Sequence, residues 1–296
     1  MGIAGAIILS TVPPRLDRLP WSKWHVRLVI ALGITWILEG LEASLIANLG
    51  PTLEDPRTLG LDPAHVGMTN SIYLVGQVVG ALFFGWLTDR LGRKKLFLVT
   101  LGLYLAATAL CGASPNFWVF AALRFFAGAG IGGEYAAINS AIDELIPARV
   151  RGHVDLGING SYWIGVALGA GLTLVFTNPN LVPVHLGWRL AFGLGALLGL
   201  GILFARRHLT ESPRWLLIRG RAKEADEITT QIEHWVHGNE VPPPPPPPVE
   251  VRVVEAPGIA TSSRCSSAGT RAARASRWRS WSRRRSSTTG CSSATG

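Results

Sequence analysis

Charge is scarce in this chain. Only 16% of its 296 residues are Asp, Glu, Lys or Arg, and 48% are hydrophobic, whereas a soluble domain carries roughly a quarter charged residues. Cysteine is scarce as well. The three present have no paired spacing, so neither a disulfide framework nor a zinc site is expected. The seven histidines form no cluster, and there is no nucleophile–base constellation, metal spacing or phosphate loop. The chain is therefore not expected to be an enzyme or to hold a cofactor. A net charge of +9 would suit a nucleic-acid binder, but its location argues otherwise. Residues 249–296 hold nine arginines against Glu250 and Glu255, while the other 248 residues carry 19 basic and 17 acidic side chains. No specific nucleic-acid partner is expected, and the two parts are read separately.

What the chain does have is long apolar runs: 28–49, 66–87, 96–113, 117–138, 154–176 and roughly 187–205. Most reach the ~18 or more residues that cross a hydrocarbon core of about 30 Å. The run 3–9 is too short to span and has no basic flank before it, so a signal peptide is not favoured. Loop charges set an orientation. Arg15, Arg18, Lys23 and Arg27 precede the first run; Arg90, Arg93, Lys94 and Lys95 follow the second. Arg149 and Arg151 follow the fourth, and a further basic group follows the sixth. The alternate loops carry almost none, so the positive-inside rule puts the N-terminus and residues 206–241 in the cytoplasm. Glycines four apart (Gly76 and Gly80, Gly165 and Gly169, Gly195 and Gly199) suit close helix packing in lipid.

Four ionisable residues fall inside the runs: Glu39, Glu42, Arg124 and Glu134. An intramembrane charge costs roughly 2.5–3.5 kcal/mol even on the lenient insertion scale, so each needs a partner, water or a neutral form. Glu42 lies about 21 Å in from the cytoplasmic side and Arg124 about 10 Å in from the other, at similar depth and with opposite charge. An ionised Glu42 would hold Arg124, and a protonated one would release it. A static pair that only fixes packing is the alternative. Glu39, one turn away, could be the partner instead, and Glu134 could be solvated near the cytoplasmic end of its helix.

Gly85-Trp-Leu-Thr-Asp89-Arg90-Leu-Gly92-Arg93-Lys94-Lys95 resembles the signature loop of the major facilitator superfamily. The stretches from Arg124 to Tyr135 and from Asp143 to Gly152 are similar to its sugar-porter and metabolite:proton symporter branch, as are Gly187-Trp188-Arg189 and Glu211-Ser212-Pro213-Arg214-Trp215-Leu216. The resemblance covers about residues 20–240 and implies an all-α integral membrane protein. Six transmembrane helices would form the N-terminal half of a major facilitator fold, as two inverted three-helix repeats. It implies a proton-coupling pair on Glu42 (Glu for the more usual Asp) and Arg124, with Glu39 beside them. A cytoplasmic gate would be built from Asp89, Arg90, Arg93, Glu144, Arg151, Glu211 and Arg214. Asn159 stands where sugar porters carry glutamine, which weakens a hexose assignment; Gln77 and Glu134 are further candidates for substrate contact. Sugars, polyols and organic acids stay open as substrates, with protons as the coupling ion and the plasma (inner) membrane as the location.

The expected organisation is a cytoplasmic segment 1–26, a six-helix domain 27–205, a cytoplasmic loop and helix 206–241, a polyproline linker 242–248 and a disordered basic tail 249–296. From 260 to 296 there is no Leu, Ile, Val or Phe, so that stretch can bury no core. Read in the neighbouring frame, its TC-type serine codons become codons for apolar residues, and 284–296 can then encode a seventh membrane helix. A frameshift near residue 260 is the expectation, leaving a truncated half. A homodimeric half-transporter and a membrane-bound sensor or scaffold with a basic tail are the alternatives.

Overall fold

A computed structural model describes residues 7–206, 211–238 and 243–252. A short strand β1 (Ile7–Ser10) and helix α1 (Val12–Arg18) precede six long helices. These are α2 (Lys23–Glu54), α3 (Pro63–Leu91), α4 (Arg93–Cys111), α5 (Phe117–Leu145), α6 (Arg151–Phe176) and α7 (Val184–Arg206). Two shorter helices, α8 (Pro213–Ile218) and α9 (Ala222–His237), lead to strand β2 (Val249–Arg252). Five of the long helices each contain one of the apolar runs, whereas α4 ends at Cys111, two residues short of the end of the run 96–113. By length and composition, α2, α3, α4 and α6 can each cross a bilayer; the apolar part of α7, Val184–Leu200, is shorter.

Local chemistry sets the helix starts. Asp62 accepts from the backbone N–H of His65 at 2.6 Å with Pro63 opening α3, and Asn116 accepts from Val119 N–H at 3.0 Å at the start of α5. Ser212 does the same for Trp215 N–H at 3.3 Å with Pro213 opening α8. Each side chain satisfies a donor that the first helical turn leaves open. Gly92 alone separates α3 from α4, with a φ of 94° that other residues rarely adopt.

Within the bundle, α3 packs along α5, α2 along α6, α4 on α5, and α4 and α2 on α7. Exchanging the helix sets α2–α4 and α5–α7 turns the α3–α5 contact into α6–α2. It maps α4–α7 onto itself, as an inverted repeat requires. Glycine lets the paired backbones meet. A Cβ on Gly76 or Gly80 would overlap the carbonyls of Phe125 or Ala129 on α5, and one on Gly128 or Gly132 those of Tyr73 or Gln77 on α3. Gly165 and Gly169 fit equally tightly against α2. Gly195 is a correction: nothing lies within 4 Å of the Cβ position there, so it makes no close contact, whereas Gly199 lies against Leu105.

The expectation of disorder from residue 249 is also corrected. Val249–Arg252 pairs antiparallel with Ile7–Ser10, Leu9 opposite Glu250. Residues 253–296, with the serine-rich stretch and its shifted-frame helix, lie outside the described residues. The apolar faces of α1, α8 and α9 then close one core with the neighbouring ends of α2 and α5, through Leu16, Leu28, Leu145, Leu216 and Ile232 among others.

Gly132→Val drives a side chain into the Gln77 backbone and lowers stability by roughly 1–3 kcal/mol. Gly102→Ala, with nothing within 4 Å, is nearly neutral. Thermal unfolding in detergent, followed by tryptophan fluorescence, separates the two; equal melting temperatures would contradict the packing described.

Candidate functional site

The bundle interior gathers ionisable groups from two helices. On α2, Glu39 and Glu42 are 4% and 3% exposed; on α5, Arg124 is 1% exposed and Glu134 fully buried. Arg124 Nη1 donates to Glu42 Oε1 at 2.5 Å. The Thr108 hydroxyl donates to Glu42 Oε1 at 3.4 Å, and the Arg124 guanidinium lies over the Tyr73 ring at 3.9 Å. Glu39 does not take the arginine; its Oε1 accepts from Gln77 Nε2 at 3.0 Å. Solvation of Glu134 is overturned, because α3 and α4 cover the middle of α5 around it: the neighbouring Gly133 abuts Phe84 and Thr100. Asn159 is not brought to this cluster. It is exposed and donates to the Asp155 carbonyl and carboxylate on its own helix, at 2.9 and 3.1 Å.

A second cluster lies at the other end of α5. Arg93 reaches Glu144 at 2.7 Å and Ser140 at 3.1 Å. Glu211 accepts from the backbone N–H groups of Arg93 and Lys94 at 2.9 and 3.3 Å. It thus supplies the carboxylate that the N-terminus of α4 favours. Arg214 pairs with Asp17 at 2.8 Å, and Arg151 lies between Asp17 and Asp143 at 3.9 and 3.8 Å. Arg90 stacks on Trp86, 4.2 Å from its ring. The Asp89 side chain lies outside the described residues. The sequence motifs point to Arg93, Glu144, Arg151, Glu211 and Arg214, but not to Asp17, which the N-terminal segment brings in from more than 130 positions away.

The family model described as "Sugar (and other) transporter" matches residues 51–290. The chain belongs to that family. It is a family of membrane transporters, not of enzymes, and its members are multi-pass membrane proteins of the major facilitator superfamily. The niacin transporter NiaP of Acinetobacter baylyi is 36% identical over 74% of this chain and 48% of its own length. The inner membrane metabolite transport protein YgcS of Escherichia coli is 31% identical over 79% of this chain and 52% of its own. In fold, the chain matches the partially occluded, inward-open xylose transporter XylE of E. coli with a TM-score of 0.62. That match has 21% identity and covers 71% of this chain and 55% of that one. The chain thus spans about half the length of the relatives it matches.

In this chain the N-terminal segment is strapped to α9 and to the proline run. Arg15 donates to both Glu233 oxygens, at 3.1 and 2.6 Å, and to Thr230 at 3.0 Å. Arg18 adds a contact to Glu233 at 3.2 Å and donates to the Pro243 carbonyl at 3.0 Å, so the proline run is held against α1. Burial alone would raise the Glu233 carboxyl, but the hydrogen bonds and charges of Arg15 and Arg18 outweigh it and hold the group below its usual 4.5. A depressed carboxylate contributes stability above its unfolded pKa and loses it as pH falls through the folded one. The strap is therefore complete at neutral pH and loosens only below about pH 4.5. Hydrogen exchange should be slow in α1 and α9 at pH 7 and faster in Glu233→Gln at that pH. Equal protection in the variant would show that the arginine contacts contribute nothing.

Proposed function

We propose that this chain is the N-terminal half of a proton-coupled secondary transporter for a small polar solute. The observation that carries the reading is the buried Glu42–Arg124 pair at 2.5 Å. A carboxylate and a guanidinium in the bundle interior attract strongly while both are charged, and a proton on Glu42 removes the attraction. Arg124 then becomes free to move with α5, so proton occupancy selects between helix arrangements. The second cluster offers what such a cycle needs at the cytoplasmic face: Arg93, Glu144, Glu211 and Arg214 join α4, α5 and the loop after α7 through contacts that can break and remake.

In this reading all six helices α2–α7 span the membrane, with the N-terminus in the cytoplasm, as the basic loops require. The solute sits between this half and a second one, and the pathway lacks one wall without it. Relatives of twice the length and the shifted-frame reading of the tail both support a second half beyond residue 260. The strand pairing of Val249–Arg252 with Ile7–Ser10 is consistent with this, since it holds the segment after the proline run against the N-terminal segment.

Resequencing the gene from the proline run past the stop codon is expected to reveal a single-base shift that restores further apolar spans. In proteoliposomes holding that complete product, Glu42→Gln reduces accumulation driven by an inward proton gradient to the protein-free background, while solute exchange without a gradient persists. Gradient-driven accumulation as in the parent would overturn the coupling role of Glu42.

A further inference from the structure

The seven consecutive prolines 242–248 take no part in the transport reading. Proline fixes its own φ and confines the residue before it to extended backbone. An unbroken run is therefore a left-handed helix with three residues per turn, a stiff rod with three edges on which residues three apart share an edge. Of Pro243–Pro248, Pro246 is half-buried and the other five are exposed. The edge that carries Pro246 leans on the protein, while the edges of Pro244 with Pro247 and of Pro245 with Pro248 face outward. The rod is fixed at both ends. Arg18 donates to the Pro243 carbonyl at 3.0 Å and to the Pro244 carbonyl. Val249, directly after the last proline, is paired with Ser10 in the two-stranded sheet. Beside Pro248 opens a cleft of about 550 Å³, lined by Leu9, Val12, Leu217 and Ala222 among others.

Connection alone is served by a run free to turn; these anchors instead set which edges are presented. A proline rod offers a partner apolar ring faces and carbonyl acceptors, with no backbone N–H and no charge. The chemistry that fits it is a groove of aromatic side chains, whose flat faces pack on the rings while an indole N–H or phenol O–H donates to a carbonyl. A groove of that kind grips two edges of the rod, the number that stand open here. We propose that Pro244–Pro248, with the cleft beside Pro248, is a docking site for a protein domain with an aromatic-lined, proline-binding groove. The site depends neither on the solute nor on proton coupling.

The test uses the full 296-residue chain in lipid nanodiscs. It is titrated calorimetrically with a WW domain selected beforehand for its binding to a free heptaproline peptide. The expected result is saturable binding to the chain, lost when the groove tryptophan of the WW domain is changed to alanine. Pro247→Ala and Pro248→Ala each weaken it about fivefold, whereas Pro246→Ala, on the edge turned to the protein, changes it by less than about twofold. In the free peptide, which can slide and rotate in the groove, the three substitutions act alike. Arg18→Ala, which releases the first anchor, brings the Pro246→Ala loss up to that of Pro247→Ala. Absence of binding to the chain by a domain that binds the peptide would overturn the proposal, because the outward edges would then be covered. Equal losses at Pro246, Pro247 and Pro248 in the chain with Arg18 intact would overturn it too, because the run would then be read as a loose tail and not as a presented face.

Discussion

Arg124 lies 1% exposed in the interior of the bundle, where a lone buried charge costs several kcal/mol. That cost makes its partner a condition of folding. Glu42 meets it at 2.5 Å, and the guanidinium lies over the Tyr73 ring. The pair joins α2 to α5, one helix from each three-helix set, so the two sets cannot separate without exposing two charges to lipid. A proton on Glu42 is then a change in what holds the bundle together as well as a change in local charge.

Such a pair can form only if the helices around it approach closely. The glycines of α3 and α5 supply that approach on one side, and Gly40, Gly165 and Gly169 on the α2–α6 side. In lipid there is little hydrophobic drive between helices, so contact between backbones has to come from small residues. The same economy leaves the outer faces of α3 and α6 covered in exposed large apolar side chains, such as Leu82, Phe83, Leu156 and Trp163. These suit lipid or another apolar surface.

The Glu42–Arg124 pair is legible in the amino-acid sequence because helical rise is fixed: counting residues from each membrane face places opposite charges at one depth. The six long helices are legible for a similar reason, since apolar length is written directly in the chain. Side-chain choice between neighbours is not. Glu39 and Glu42 are one turn apart, and only the packing of α3 decides that Gln77 takes the first and Arg124 the second. The strap is the least readable part. Arg15 with Glu233 and Ile7–Ser10 with Val249–Arg252 are contacts across more than 200 positions, made by segments too short to carry a readable pattern. Asp17 and Glu233 are each unremarkable as a surface acid in sequence. Their importance comes from which arginines the fold sets against them.

Helix α5 links the two clusters. Arg124 and Glu144 are 20 residues apart on it, about 30 Å of continuous helix, with Glu134 between them. At one end it is held to α2 through Glu42; at the other it is held to α4 through Arg93. A straight helix transmits axial and rocking displacement with little loss, so a change of ion pairing at Arg124 reaches Glu144 if α5 moves as a body. Its contact with α3 is close: at Gly128 and Gly132 backbone meets backbone, and beside them the Phe84 side chain of α3 packs against Gly133. The glycines therefore allow an approach close enough for the bundle to bury a charge pair.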